Sequence, residues 1–189
     1  MKSQRLYREL VLDNLQELDR FLAGVQGRAF RMAQIATGNT EDALDLVQDA
    51  MFKLVEKYRD RSEEEWTPLF YRILQSRING WSRRNQVRNR HVRASFSADE
   101  NGEDFIQTSK DPAGRSPYEE LQTATSMDRL QTALAALPLR QQQAFLLRAW
   151  EGLDVRQTAQ AMACAEGSVK THYSRAVHTL REKLCEFWP

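Results

Sequence analysis

Two stretches of this chain carry residues whose types and spacing could do chemistry, and both suit nucleic acid. In VRQTAQAMACAEGSVKTHYSRAVHTLR, Val155 to Arg181, apolar residues fall at Val155, Ala159 and Met162, then at Val169, Tyr173, Ala176, Val177 and Leu180. Each set has the spacing of one helical face. Ala163-Cys164-Ala165-Glu166-Gly167 between them leaves room only for a tight turn. The pair therefore predicts a helix-turn-helix whose second helix buries one stripe and leaves the other face free. That face carries Thr171, Ser174, Arg175 and His178, flanked by Lys170 and Arg181. These are donors and acceptors sized for phosphates and base edges. An ordinary helical hairpin with a solvated face is the bland alternative; docking geometry and polar face together favour DNA.

The second stretch lies between Phe70 and Arg93, where seven arginines (Arg72, Arg77, Arg83, Arg84, Arg88, Arg90, Arg93) occur without one Asp or Glu. Aromatic residues are interleaved at Trp66, Phe70, Tyr71 and Trp81. Cations for phosphates and π-faces for unstacked bases are what a separated strand requires. Core packing of Phe70, Ile73, Leu74 and Trp81 with solvated arginines explains part of the pattern, but explains the missing carboxylates poorly. The net charge is only +1, so the argument rests on how charge is distributed and not on its total.

The elements that position these stretches read as helices throughout, with no period-two alternation long enough for a sheet. Leu18, Phe21, Leu22, Val25, Ala29, Met32, Ala33 and Ala36 fit one long helix, or two broken near Gly24 and Gly27. After Gly38-Asn39, Thr40 is the expected N-cap of a helix from Glu41 to Tyr58, with Glu41 and Asp42 in its first turn. At ~100° per residue, Ala43, Leu46, Val47, Ala50 and Leu54 share one side of that helix, and Asp45, Gln48, Asp49 and Phe52 the other. Phe52 stands near the centre of a polar face. That is either a scattered exposed ring or the anchor of a protein interface.

RDRSEEEWT, Arg59 to Thr67, reads as a charged connector, with Pro68 opening a helix to about Gln86. ASFSADENGEDFIQTSKDPAGRSP reads as a linker between two domains, its acidic cluster Asp99, Glu100, Glu103 and Asp104 either solubilising or a strand of negative charge for a partner's basic channel. Helical spacing returns at Leu121, Met127, Leu130, Leu134 and Leu137, breaks at Pro138, and resumes from Arg140 to Trp150 with Phe145, Leu146 and Ala149 inward. The expected fold is all-α: a domain over 1–91, a flexible linker over 92–117, and a helix-turn-helix domain over 118–189.

At 189 residues, 28% charged and 9% aromatic, the chain has the composition of a soluble globular protein. No apolar run approaches the ~20 residues that cross a bilayer, and the N-terminus lacks a signal-peptide core, so a cytoplasmic protein without membrane insertion is expected. Cys164 and Cys185 are too far apart for a metal knuckle, the three histidines lack ligand spacing, and no nucleophile–base pair or phosphate-cradling loop occurs. No metal, no cofactor and no catalytic residue is expected.

Taken together these motifs resemble the sigma-70 family of bacterial RNA polymerase initiation factors, in particular its extracytoplasmic-function (ECF) group. DALDLVQDAMFKLVEKY, Asp42 to Tyr58, is similar to the family's core-polymerase-binding segment, and FYRILQSRINGWSRR, Phe70 to Arg84, to its −10-reading helix. ALPLRQQQAFLLRAWEGLDVRQTAQAMACAEGSVKTHYSRAVHTLREKL is similar to its region 4, which reads the −35 element. The resemblance implies that Asp45, Gln48, Asp49 and Phe52 dock on the β′ clamp of core RNA polymerase, with the β flap as a further contact. It implies −10 DNA contacts by Arg59, Arg61, Trp66, Tyr71, Arg72, Arg77, Trp81, Arg83 and Arg84, the connector holding a flipped base. Contacts to −35 DNA are implied for Ser168, Lys170, Thr171, His172, Ser174, Arg175 and His178. The linker would thread toward the RNA exit path, and an anti-sigma factor is a candidate partner.

Departures from the family pattern are Ser76 and Gly80, where it often has Asn and Asp or Asn, His172 for a frequent Arg, and Ala163, where the turn commonly begins with Gly. The last predicts a slightly different backbone turn. The function implied is a non-enzymatic sigma factor that binds core polymerase, recognises −35 and −10 elements and helps open the DNA. The main alternative is a helix-turn-helix regulator that binds DNA without acting as a polymerase subunit. A third, an adaptor or anti-sigma bundle, fits the arginine run poorly.

Overall fold

The computed structural model describes residues 2–95 and 127–185, and all regular structure among them is helical. Helix α1 spans Lys2–Thr37, α2 Thr40–Tyr58 and α3 Glu63–Ser95. A helix α4 follows over 127–135, then α5, Leu139–Phe145, which continues as a π-helical turn, Leu146–Trp150. Helices α6, Val155–Met162, and α7, Glu166–Leu184, complete the described residues. The acidic cluster Asp99 to Asp104, Leu121, and the expected linker beyond Ser95 lie outside the described residues.

α1 is one helix. Gly24 and Gly27 sit on its exposed side, where the lack of a side chain costs helix propensity but no packing. α2 starts one residue earlier than expected. Asn39, and not Thr40, is the cap: it is extended (φ −132°, ψ 130°), and its Oδ1 accepts from the Asp42 N–H at 3.0 Å. α3 starts five residues before Pro68. Glu63, Glu64 and Glu65 favour the positive end of a helix, and the Glu65 carboxylate accepts from both the N–H and the Oγ of Ser62 at 3.3 Å. Pro68 therefore lies inside the helix, and half of the expected connector is helical.

That earlier start places Trp66, Phe70, Leu74 and Ile78 in one row, four residues apart, and all four are buried against α1 and α2. Phe21 packs on Trp66 (centroids 5.7 Å apart) and edge-on to Phe70 (6.2 Å, 87°). The indole Nε1 donates to the Tyr58 carbonyl at 2.9 Å, so its one polar atom is satisfied inside the core.

In the C-terminal half, Leu134, Leu137, Ala144, Leu146, Leu147, Leu153, Ala159, Met162, Val169, Ala176 and Leu180 are buried. Ala149, expected inward, is exposed. In the π turn the Glu151 N–H bonds to the Leu146 carbonyl, five residues back, and the extra residue per turn rotates Ala149 out of phase with the core. Leu147 takes the inward position. Gly152, at φ +70°, closes the element, and Asp154 caps α6 in a reciprocal box with Gln157 (Gln157 N–H to Oδ1 2.7 Å; Asp154 N–H to Oε1 2.9 Å).

The turn between α6 and α7 is three residues long. Ala163 is left-handed (φ 50°, ψ 52°), with the Cys164 N–H reaching the Ala159 carbonyl at 3.1 Å and the Ala163 N–H that of Gln160 at 3.3 Å. Ala163 thus adopts the backbone a glycine would, and the altered turn expected from its Cβ does not occur; the chain carries local strain instead. A left-handed alanine costs about 1–2 kcal/mol, part of which glycine returns as unfolded-state entropy. Ala163→Gly is accordingly expected to raise Tm by about 2 °C. Thermal melts of the two proteins check this, and a lower Tm for the glycine variant would contradict it.

Candidate nucleic-acid and polymerase interface

α7 buries Val169, Ala176 and Leu180 against α5 and α6 and turns its remaining surface outward. Lys170, Thr171, Ser174, Arg175 and His178 are exposed; Ser168 and His172 are half-buried. Thr171, Ser174, Arg175 and His178, with Lys170 and Arg181 on the flank, are thus exposed together as the spacing predicts, while Ser168 and His172, added by the resemblance, are less accessible. Thr171 Oγ1 donates to the Gly167 carbonyl at 3.0 Å, and His178 Nε2 lies 3.3 Å from Glu182 Oε1. Ala165, at the N-cap of α7, offers no side-chain acceptor, so first-turn N–H groups remain available to an anion. Behind the helix, Tyr173 stacks on Phe145 (6.1 Å, 16°) and lies under the Arg148 guanidinium at 5.9 Å, which fixes the helix on its support. Arg140 Nη1 donates to the Met162 carbonyl at 2.9 Å and holds the end of α6.

On α2, Asp45, Gln48, Asp49 and Phe52 are all exposed, Phe52 at 79%. Leu44, 43% exposed, lies on the same outer half of the helix, which sequence reasoning passed over although it stands one turn from Gln48. Asp49 Oδ2 is 3.8 Å from Arg77 Nη1 of α3, so a residue expected at the polymerase contact and one expected at DNA partly neutralise each other.

The nine residues expected at −10 DNA divide into two groups. Arg59, Arg61, Arg72, Arg77, Arg83 and Arg84 are exposed, and Trp81 is half-buried. Arg59 is 3.7 Å from Asp60, and Arg61 3.4 Å from Glu65, so both connector arginines carry local counter-charges. Trp66 and Tyr71 are fully buried and have no ring face for a base. Interleaved arginines point both rings outward, but Trp66 belongs to the core row, and Tyr71, one position past Phe70, is buried toward Glu151.

Between α2 and α3 lies a groove of about 430 Å³ lined by Lys53, Lys57, Arg72, Arg77 and Arg84, with one carboxylate, Asp49, and the apolar Leu69 and Ile73; Lys53 is paired with Glu56 at 3.1 Å. Lys53 and Lys57 were missed. Their spacing of four on α2, on the flank facing α3, was the available signal. A Cβ at Gly80 would meet Arg84 Nη1 at 3.6 Å, an ordinary contact, so the groove does not depend on the glycine.

Tyr71 has a different task. Its hydroxyl donates to Glu151 Oε2, in the segment between the π turn and α6. Burial first, and then this hydrogen bond, push its phenol well above its ordinary range. The phenol stays protonated in the folded protein while the unfolded chain ionises near pH 10, so stability is intact below about pH 10 and falls above it by ~1.4 kcal/mol per pH unit. Urea unfolding of wild type and Tyr71→Phe across that range checks this, with the steeper loss expected in wild type. Parallel slopes would contradict it. No helix among the described residues is long and apolar enough to cross a membrane.

No curated protein sequence matches the chain. Residues 127–180 match the sequence profile of sigma-70, region 4. Among solved structures, a chain of the co-crystal structure of the sigma factor RpoE in complex with the anti-sigma factor NepR from Bartonella quintana is 26% identical, with a TM-score of 0.63. That match covers 93% of this chain and 99% of the other. A chain of the co-crystal structure of anti-anti-sigma factor PhyR complexed with NepR from Bartonella quintana is 15% identical at a TM-score of 0.47, covering 88% of this chain and 50% of that one. The helices from α4 to α7 thus match sigma-70 region 4 over residues 127–180, and the chain as a whole is similar to that of a sigma factor.

Proposed function

We propose that this chain is an ECF-type sigma factor: it joins core RNA polymerase, reads −35 and −10 promoter elements and assists opening of the DNA. The observation that carries the reading is the region 4 match, over helices whose last member presents Lys170, Thr171, Ser174 and Arg175 on one open face. The whole-chain likeness to a sigma factor supports extending it to α1–α3. In this reading residues 1–91 form the core-binding and −10-reading part, 92–117 the linker and 118–189 the −35-reading part.

Asp45, Gln48, Asp49 and Phe52 contact the polymerase β′ clamp. Exposed Arg72, Arg77, Arg83 and Arg84, joined by Lys53 and Lys57, follow the backbone of the −10 DNA. Trp81 alone of the proposed rings keeps part of its surface for a base. Arg59 and Arg61 border the position of a flipped base; Ser168, His172 and His178 complete the −35 surface. The chain performs no catalysis itself, needs no metal or cofactor for this role, and works in the cytoplasm where the polymerase is. An anti-sigma factor is a proposed partner, in keeping with the NepR complex of the similar RpoE.

Gel filtration with bacterial core polymerase tests the reading. Co-elution with core, together with weak DNA binding by the free chain, is expected. Tight specific DNA binding by the free chain with no co-elution would favour the stand-alone regulator.

A further inference from the structure

The two halves of the chain meet along a seam with a polar centre. Glu151, from the C-terminal half, has a side chain only 3% exposed, and both of its bonds come from the N-terminal half. Arg28 Nε of α1 donates to its Oε2 at 3.1 Å, and the Tyr71 hydroxyl of α3 donates to the same oxygen. Glu151 in turn raises the pKa of Arg28, chiefly through its charge. Glu151 Oε1 is buried without a hydrogen-bond partner. Nearby, the buried Gln143 of α5 donates to Asn79 Oδ1 of α3 at 2.9 Å, and Gln142 Nε2 reaches the Ile35 carbonyl of α1 at 3.5 Å. Alongside these bonds α6, the first helix of the helix-turn-helix, packs against α3.

The buried apolar residues of the two halves belong to one cluster, and these buried polar groups join the halves alongside it. A buried carboxylate is costly to desolvate and is held only while its partners remain in place, whereas on separation each group regains water. Removing one partner of the buried pair therefore acts strongly, because the other is left buried and unpaired. The π turn matters here: its wide final turn, closed by Gly152, is what presents Glu151 toward α1 and α3.

We propose that Glu151, clasped by Arg28 and Tyr71, is a latch that holds the free protein closed, and that the latch must open before the two halves act on DNA. The second clause rests on the sigma-factor reading. A bipartite reader needs its two halves free to reach separate elements, and closure ties the Arg-rich helix to the helix-turn-helix. The open fraction then scales the apparent affinity for polymerase.

Small-angle X-ray scattering of the full chain tests the latch directly. Arg28→Glu and Glu151→Arg should each increase the radius of gyration with helicity by circular dichroism unchanged, and the double variant, which restores the pair in reverse, should recover the wild-type value. Unchanged radii for both single variants, or a double variant as expanded as they are, would overturn the latch. Loss of helicity in a single variant that the double restores also supports the pairing; loss that it fails to restore counts against it. Runoff transcription forms a separate arm, in which the open variants should reach half-maximal activity at about two- to tenfold lower concentration. Correct scattering with no transcription from any variant, wild type included, would sink the sigma reading and spare the latch. Normal transcription with unchanged scattering would do the reverse.

Discussion

Phe52→Ala is expected to weaken association with core polymerase by about 2 kcal/mol or more, roughly thirtyfold, and to leave the fold unchanged. The side chain is 79% exposed on a helix whose buried stripe, Ala43, Leu46, Val47, Ala50 and Leu54, lies on the opposite side. Its removal therefore opens no cavity. A large ring among Asp45, Gln48 and Asp49 has the form of an anchor within a polar rim, the arrangement that concentrates binding energy in protein interfaces. Titration of labelled chain with core polymerase measures the effect, and melting of the free variant checks the fold. Equal affinities for wild type and variant would remove Phe52 from the interface.

Trp66→Ala is expected to destabilise the protein by about 3–5 kcal/mol, a large share of the ~5–15 kcal/mol that holds a domain folded. Trp66 is fully buried, packed on Phe21, with its Nε1 bonded to the Tyr58 carbonyl. Truncation would leave a cavity and remove one of the two hydrogen bonds to the Tyr58 carbonyl, which also accepts from the Arg61 N–H at 3.0 Å. Trp66→Phe keeps much of the volume and loses the hydrogen bond, so it should cost less, about 1–2 kcal/mol. Urea denaturation separates the two. An alanine variant of native stability that had lost only DNA binding would return Trp66 to the DNA surface, contrary to its place in the core.

These two aromatic residues also show what the sequence could disclose. Around Phe52 the helical phase was unambiguous: the five residues expected inward on α2 are the five found buried, because a long amphipathic helix with a clean stripe has one way to pack. Around Trp66 the phase depended on where α3 begins. With the start taken at Pro68, Trp66 fell in a connector beside arginines and read as a base-stacking ring. The start at Glu63 sets it one turn before Phe70 in a row of core residues. Ser62 and Glu65 were the signal for that start. Tyr71 lies within the helix under either start, and its direction is hidden for another reason: interleaved rings and arginines look alike whether the rings turn in or out.

The helix-turn-helix was legible because its evidence is local: two short amphipathic helices and a turn, with Ala163 supplying the left-handed residue. The seam was not. Arg28 and Glu151 are separated by 123 residues, and nothing in the local pattern of either marks the other as its partner. The π turn that aims Glu151 is likewise invisible to a reading that counts 3.6 residues per turn.

The proposed function is direction of polymerase to start sites by this chain. Its most direct test is transcription of fragmented bacterial genomic DNA by core polymerase with and without the chain, followed by sequencing of RNA 5′ ends. The account predicts discrete new start sites that depend on the chain, share a two-part upstream motif, and disappear with Phe52→Ala at limiting concentration. The same transcripts with and without the chain, despite binding of the chain to DNA, would contradict it.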